Sequence, residues 1–405
     1  MSEAIVIIGC FDTKAAAFSF LRNCLLARGE FVLTINTGVM ETTVDFPIDY
    51  PAEEVAQRAG FSLAEIRRSR DRGRAIDSMG AGAAAIMAEL VDSGRVKGAI
   101  GMGGGGGTFI ALAAMQPIPF GVPKLCLSTM AANDLSRQVG TKDIVLMPSV
   151  VDVAGFNGML AQLVEQAAVA VCAMTAIGQP ARANQMGRIA VSMFGNTTPC
   201  VEQCIALLEG HGYEVIAFHA NGVGGRTMES LIADGQFMAV LDITTTELAD
   251  HLCGGICSAG PDRLLAAGRA GIPQVVVPGC LDMVNFGHPD SVPAPYRHRH
   301  LYSWAPNVTL MRTDAAENVV LGQQLAQKVN QASAAVTVVL PLRGVSQLDD
   351  EGHDFYRPDL DTSLFDAIRA NLSDTVQLLE LPAHINEKPF SAFLVNSLLA
   401  LLKTH

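Results

Sequence analysis

Aromatic side chains are scarce: they make up 6% of the 405 residues, and charged side chains only 17%. A core must therefore be built from aliphatic residues and glycine, and a hydrophobic content of 49% supplies ample material for it. That balance suits parallel sheets buried under helices, whose strands read as continuous aliphatic runs. Basic residues are also in short supply, 28 against 40 acidic ones, for a net charge of −12. Such a surface repels a nucleic-acid backbone and argues against non-specific binding to it. The basic run "RHRH" at 297–300 reads as a solvated loop. Paired cysteine motifs are missing as well. The nine cysteines are odd in number, lie in apolar segments and include no CxxC pair. This speaks against a disulfide framework and for a reduced, cytoplasmic protein. Cys200 and Cys204, like Cys253 and Cys257, are four apart and would share helix faces, but no His stands at finger spacing; small core residues are the better reading than a zinc site. No secretory pattern is visible. The longest apolar helical stretch, 156–177, carries Gln162, Glu165 and Gln166, so a buried helix is expected and no membrane partner.

What is present is an alternation of short aliphatic runs with helical segments. "AIVIIGCF" (4–11), "FVLTINTG" (31–38), "VKGAIGM", "PKLCLSTM" (123–130) and "DIVLMPSV" (143–150) read as strands. Helices are expected over 15–29 and 72–94, each ending in Gly, and after the glycine run at 103–107. Periodicity stops at "GQPARANQMG" (178–187), the linker candidate, and then the pattern restarts. "RIAVSMFG", "YEVIAFHANG", "FMAVLDITT" (237–245), "QVVVPG" (274–279), "NVTLMRT" (307–313) and "AVTVVLP" (335–341) continue the strand series. Both halves place Phe shortly before Thr at the end of a strand (Phe11 and Thr13, Phe194 and Thr197), and Gly38 and Gly222 each lie 25 positions beyond that Thr. The expected fold class is α/β: two Rossmann-like three-layer domains, 1–180 and 186–405, with mainly parallel sheets and a crevice between them. The apolar spacing of Phe393, Leu394, Leu398, Leu399 and Leu402 suits a buried C-terminal helix or a dimer contact equally.

Open parallel sheets bind ligands beyond the carboxyl ends of their strands, and those ends are rich in polar residues here. "GMGGGGGT" holds Gly103, Gly104, Gly105, Gly106 and Gly107, with Thr108 opening a helix. Backbone N–H groups at such a strand-to-helix turn cradle phosphate oxygens; tight helix–strand packing is the structural alternative. No Lys adjoins Thr108, so the pattern is not a Walker loop. "FDTK" brings Asp12, Thr13 and Lys14, with Lys14 suited to offset phosphate charge and Asp12 to hold Mg²⁺ or a ribose hydroxyl; a capping Asp with an exposed Lys is the plainer reading. Gly38, Thr129 and Met130 lie at neighbouring strand ends. In the second half, "HANGVGGRT" offers Gly222, Gly224 and Gly225 before a helix, Arg226 to grip an anion and His219 as an acid/base group. Thr197, Thr198, Thr245, Thr246, Glu247, Asp282 and Asn285 complete the strand-end polar set. His219, Glu247 and Asp282 are the candidate catalytic groups; Thr245 and Thr246 serve equally as helix caps.

Taken in order, "GCFDTK", "GMGGGGGT", "LSTMAANDLS", "VGTKDI", "VVDVAGFN", "NTTPCV", "FHANGVGGRTME", "LDITTTELAD", "SAGPDRL", "PQVVVPGCLDMVNFG" and "NVTLMRT" resemble the Tm-one-like family. This family comprises bacterial and fungal proteins related to the N-terminal domain of a plant tobamovirus-resistance protein. The resemblance spans essentially the whole chain. It implies two Rossmann-like domains, ATP binding assisted by Mg²⁺, and a homodimer. It also implies a separate TIM-barrel-like partner, since the plant protein carries such a portion in the same chain. Cys10 departs from the small hydroxyl residue that relatives often have, and "AAND" from their Gly-containing turn. The function expected is a nucleotide-binding protein, its nucleotide on Gly103–Thr108. If it is an enzyme, it acts by phosphoryl transfer or ligation on a small anionic metabolite at the interdomain crevice. The alternatives are a non-catalytic regulatory module and, on fold analogy alone, a sugar-converting enzyme.

Overall fold

The computed structural model describes residues 3–177 and 186–404. Up to residue 185, the linker expected at 178–187 lies outside the described residues. The chain divides into two compact units between residues 181 and 182. Each is an α/β unit built on a parallel sheet.

The first unit runs β1 (Ala4–Gly9), α1 (Ala15–Leu26), β2 (Val32–Asn36), α2 (Ala52–Arg58), α3 (Leu63–Ser69), α4 (Arg72–Asp92), β3 (Val96–Gly103), α5 (Gly105–Met115), β4 (Lys124–Ser128), α6 (Ser136–Val139), β5 (Ile144–Pro148) and α7 (Gly158–Ala176). Its five strands are all parallel, in the order β2-β1-β3-β4-β5. β1 is buried along its whole length because both faces are covered. Ala4, Val6 and Ile8 pack with α4 and α5. Ile5 and Ile7 pack with Phe18 and Leu21 of α1 and with Leu160, Val164 and Val171 of α7. The period of two along the strand thus feeds two separate half-cores. Among the described residues, α7 is the one helix long and apolar enough to cross a membrane, and its buried stripe faces this sheet.

The second unit runs β6 (Arg188–Met193), α8 (Thr198–Gly210), β7 (Glu214–His219), α9 (Val223–Ala233), β8 (Ala239–Thr244), α10 (Thr246–Cys253), α11 (Ala266–Ala270), β9 (Gln274–Gly279), β10 (Met283–Phe286), β11 (Leu301–Ala305), β12 (Val308–Arg312), α12 (Ala315–Val329), β13 (Val336–Pro341), α13 (Pro358–Asn371), β14 (Val376–Leu381) and α14 (Lys388–Thr404). The six-stranded parallel sheet has the order β14-β13-β9-β8-β6-β7. Read from β7, its first five positions repeat the strand order of the first unit. β14, at the sheet's edge, has no counterpart among the strands read from sequence. Its alternation of half-buried and exposed positions hides it among helical neighbours.

One strand assignment needs correcting. "NVTLMRT" does form a strand, β12, but not in the parallel series. It joins β10 and β11 in a separate antiparallel sheet of order β10-β12-β11. Only Pro306 and Asn307 separate β11 from β12, and a parallel return needs a crossover of roughly a dozen residues. The C-terminal helix, α14, packs on its own unit, with Phe393, Leu399 and Leu402 only partly covered. Phe390, Leu394, Val395 and Leu398 of α14 are buried against α8 and the sheet of their own unit.

Candidate functional site

In the first unit the chain leaves β1 toward β2, then crosses to the other side of β1 to form β3. The strand order 2-1-3-4-5 therefore reverses direction between β1 and β3, and such a switch point opens a crevice at the carboxyl edge. A cavity of about 320 Å³ lies there. Asp12, Thr13 and Lys14 line it after β1, Gly38 after β2, and Gly104, Gly105, Gly106 and Gly107 after β3. The structure thus gathers residues spread over 95 positions of sequence into one hollow.

The glycines do different jobs. A Cβ on Gly103 would stand 2.7 Å from the Cα of Gly107, and one on Gly101 2.5 Å from the Ala111 Cβ, so both let the strand and helix pack closely. A Cβ on Gly106 would meet Ile76 at 2.9 Å. Gly105 has nothing within 4 Å: its missing side chain leaves open space in the cavity. Gly104 is the N-cap residue of α5, and no side chain caps that helix or places an acid in its first turn. The N–H groups of Gly105, Gly106 and Gly107 find no acceptor among the described residues. Free amides and the positive end of the helix dipole together favour an anion.

Around this turn, Asp12 accepts from the Thr13 N–H at 2.6 Å and the Met40 N–H at 2.9 Å. It also fills the space beside Gly38, whose Cβ would be 2.5 Å from the Asp12 Cγ. Lys14 is half-buried, its Nζ donating to the Thr13 hydroxyl at 3.3 Å. Thr108 is buried and stands outside the cavity lining. Its Oγ1 lies 2.6 Å from the Ser128 Oγ and 3.3 Å from the Gly103 carbonyl, locking the turn to β4. Thr129 donates its N–H to the Gly103 carbonyl and Met130 to the Ser128 hydroxyl, so both brace the turn from outside. Sequence reading missed the opposite wall, Arg72, Ala75, Ile76 and Met79 of α4 with Ile110; Thr37, Val39 and Met40 flank the strand end at Gly38. One signal could have found α4. A helix that precedes a parallel strand begins at the carboxyl edge, so its first turn must border the crevice.

The second unit treats the corresponding region differently. Its switch point lies between β6 and β8, and the turn from β8 into α10 carries Thr245, Thr246 and Glu247. Glu247 is fully buried. Its Oε1 accepts from the Gly222 and Gly225 N–H groups at 2.7 and 3.1 Å, and its Oε2 from the Arg263 Nε at 2.6 Å. The anion expected at the second glycine turn is thus the chain's own carboxylate, and a Cβ on Gly225 would overlap it. Arg263, also fully buried, holds Asp242 with both Nη atoms at 2.5 and 2.7 Å and Glu229 at 3.2 Å. Burial pulls the guanidinium pKa down, but these three acids more than offset it, leaving it well above the ordinary arginine value. Gly224 donates to the Asn221 side chain, and Arg226 donates to the Ser258 carbonyl at 2.9 Å.

Asp282 lies elsewhere, buried beside Ser346, with Arg312 as the cation of its cluster. Burial pushes its carboxyl up to about 6, against the pull of Arg312 and Ser346. Thr197 is buried against the Thr244 hydroxyl at 2.7 Å, Thr198 donates to the Phe194 carbonyl, and Thr245 to the Val277 carbonyl. Thr246 accepts from the Asn285 amide at 3.2 Å. His219 and Asn285 do come together, along a separate cavity of about 250 Å³.

Among the described residues no group of three or more His, Cys, Asp or Glu side chains is arranged to hold a metal ion. Among the described residues, Asp12 is the one carboxylate on the first cavity. It fits the habit of Mg²⁺, which takes one or two carboxylates and completes its shell with phosphate oxygens and water.

Residues 3–180 match the model described as the N-terminal domain of the uncharacterised protein family UPF0261, and residues 187–402 match the model of its C-terminal domain. A UPF0261 protein of Clostridium tetani is 40% identical over 405 residues, covering all of both chains. One from Rhizobium meliloti is 40% identical over 392 residues, covering 96% of each. The ToMV resistance protein Tm-1(GCR237) of Solanum lycopersicum is 36% identical over 420 residues, which is 98% of this chain and 56% of the tomato protein.

Proposed function

The chain belongs to the UPF0261 family, and on that footing we propose that its first unit binds a nucleoside triphosphate, ATP, at the β1/β3 crevice. The observation that carries the reading is the uncapped first turn of α5. Three adjacent amides without acceptors face a cavity whose floor at Gly105 is open. Two cationic side chains, Lys14 and Arg72, stand on the same cavity, so a polyphosphate meets both hydrogen-bond donors and positive charge. Val39, Met40, Ile76 and Ile110 supply an apolar wall against which a base can lie. The residues also fit Mg²⁺ in the limited sense given above: Asp12 would hold it, and its charge would offset that of the phosphates.

Each residue has a defined task in this reading. The amides of Gly105–Gly107 orient the terminal phosphates, Lys14 and Arg72 neutralise them, and Thr108 with Ser128 keeps the turn from moving. Calorimetric titration of ATP, ADP, AMP and adenosine, each with and without Mg²⁺, tests the proposal. Affinity should fall in that order, because each lost phosphate removes contacts to the turn. Absence of ATP binding, or adenosine binding as tightly as ATP, refutes it.

A further inference from the structure

The 250 Å³ cavity of the second unit has a different character from the first. Its walls are Phe194, His219, Trp304 and Ile256, with Asn196 and Asn285 between them. The Phe194 and His219 rings stack at 5.3 Å with an interplanar angle of 30°. Trp304 is 43% exposed and Ile256 60%, far more than a closed core leaves open. Among the described residues, neither Lys nor Arg lines the cavity, and no carboxylate does. Asp250 sits behind Asn285, its oxygens taken up by the Asn285 amide and by the N–H groups of Asn285 and Cys257.

Both asparagines are about 1% exposed, and the side-chain oxygen of each lacks a partner. The Asn285 amide cannot simply be turned round to cure this. Its Nδ2 donates to the Asp250 Oδ2 at 2.8 Å and to the Thr246 Oγ1 at 3.2 Å. Reversal would set its carbonyl oxygen against the Thr246 Oγ1, whose own proton goes to the Met283 carbonyl. The Nδ2 of Asn196 has only a weak acceptor, the Met283 sulfur at 3.6 Å. Two buried asparagine amides that border one aromatic-walled cavity thus each keep a polar atom without a partner, and buried polar groups ordinarily find one. An anion has no cation here other than His219, and a cation has no free counter-charge, so either would be desolvated without compensation.

The geometry points to a second ligand site, one that takes an uncharged planar ring bearing N–H donors, of the amino-heterocycle or nucleobase type. The ring stacks among Phe194, His219 and Trp304, and its donors satisfy the Asn196 and Asn285 oxygens. This site does not depend on the nucleotide reading of the first unit.

Trp304 is the only tryptophan in the chain, so its fluorescence reports this cavity and not the other. The probes are guanosine, with two adjacent N–H donor groups on one edge; inosine, which keeps only the ring N–H; cytidine; and orthophosphate. We expect guanosine to change Trp304 emission saturably and to bind roughly 2- to 13-fold more tightly than inosine, the usual worth of a neutral hydrogen bond. Asn196→Ala removes one acceptor and only the weak sulfur contact. It should weaken guanosine by a similar factor with the melting temperature held. Three outcomes overturn the proposal: no saturable change with any nucleoside up to millimolar concentration, saturation by orthophosphate instead, or guanosine affinity unchanged in folded Asn196→Ala.

Discussion

Gly105→Val separates the binding role of the glycine turn from its packing role. A side chain at 105 enters space with no atom within 4 Å of the Cβ, so no clash is expected. Valine is a better helix former than glycine by a few tenths of a kcal/mol, which moves the melting temperature by about a degree at most for a unit of this size. Inside the cavity the effect is opposite. The two γ-methyls stand beside the first free amides of α5 and keep a phosphate oxygen from at least one of them. A hydrogen bond to a charged group is worth about 1.5–3 kcal/mol, so ATP affinity should fall roughly 10- to 100-fold. Gly103→Ala is the control. Its Cβ would meet the backbone of Gly107 at 2.7 Å, and overpacking of this kind costs about 1–3 kcal/mol of stability. Calorimetry and thermal melting on both variants decide the matter. Gly105→Val with wild-type ATP affinity and wild-type melting temperature would refute the placement of the phosphates.

Three further outcomes follow from the same structure. Arg263→Met leaves Asp242 and Glu247 buried without their cation, which costs about 3–5 kcal/mol; the second unit should melt well below the wild type, and an unchanged melting curve refutes the role given to Arg263. Burial pushes Asp250 up to about 7 and Asp349 up to about 9, the latter also repelled by Asp282 and Asp361. A raised carboxyl pKa means the folded state holds protons the unfolded chain has lost, so this contribution is full below the ordinary aspartate range and fades as pH rises through the folded values. Melting temperature should thus decline from pH 6 to pH 9, and Asp349→Asn should flatten the upper part of that decline. Finally, Cys10 and Cys172 are both half-buried free thiols, but of the two Cys10 lines the cavity of the first unit; if ATP binds there, it should slow maleimide labelling of Cys10, followed by mass spectrometry, and leave Cys172 unaffected.

Much of the architecture could be read before any coordinates. Aliphatic runs separated by helical segments located the strands, and the rule that ligands gather at strand ends brought together Asp12–Lys14, Gly38 and Gly104–Gly107. Local composition could not sort the glycines, because Gly103 and Gly105 differ only in what lies opposite them in space. Nor could it foresee Arg263, which finds Asp242 and Glu247 from positions 21 and 16 residues away. Glu247 reads as a candidate catalytic acid from its place at a strand end, and Gly222 and Gly225 separately as an anion site. Donor and acceptor were both visible; their satisfaction of one another was not. Asn285 was placed in a loop by its neighbours, yet it belongs to β10, whose pairing with β12 depends on a turn more than 20 residues later.

The Glu247 contact gives the two units different relations to their surroundings. An anion tied to the chain is present at a fixed local concentration that dilution cannot change. The second unit therefore carries its own occupant from the moment it folds. The first unit has the same strand order but an open turn, so any stability gained there follows the free concentration of whatever binds, rising as RT ln(1 + [L]/Kd). At the glycine turns, then, one unit has an occupant fixed by its own chain, while the other, on the proposed reading, would have an occupancy set by supply.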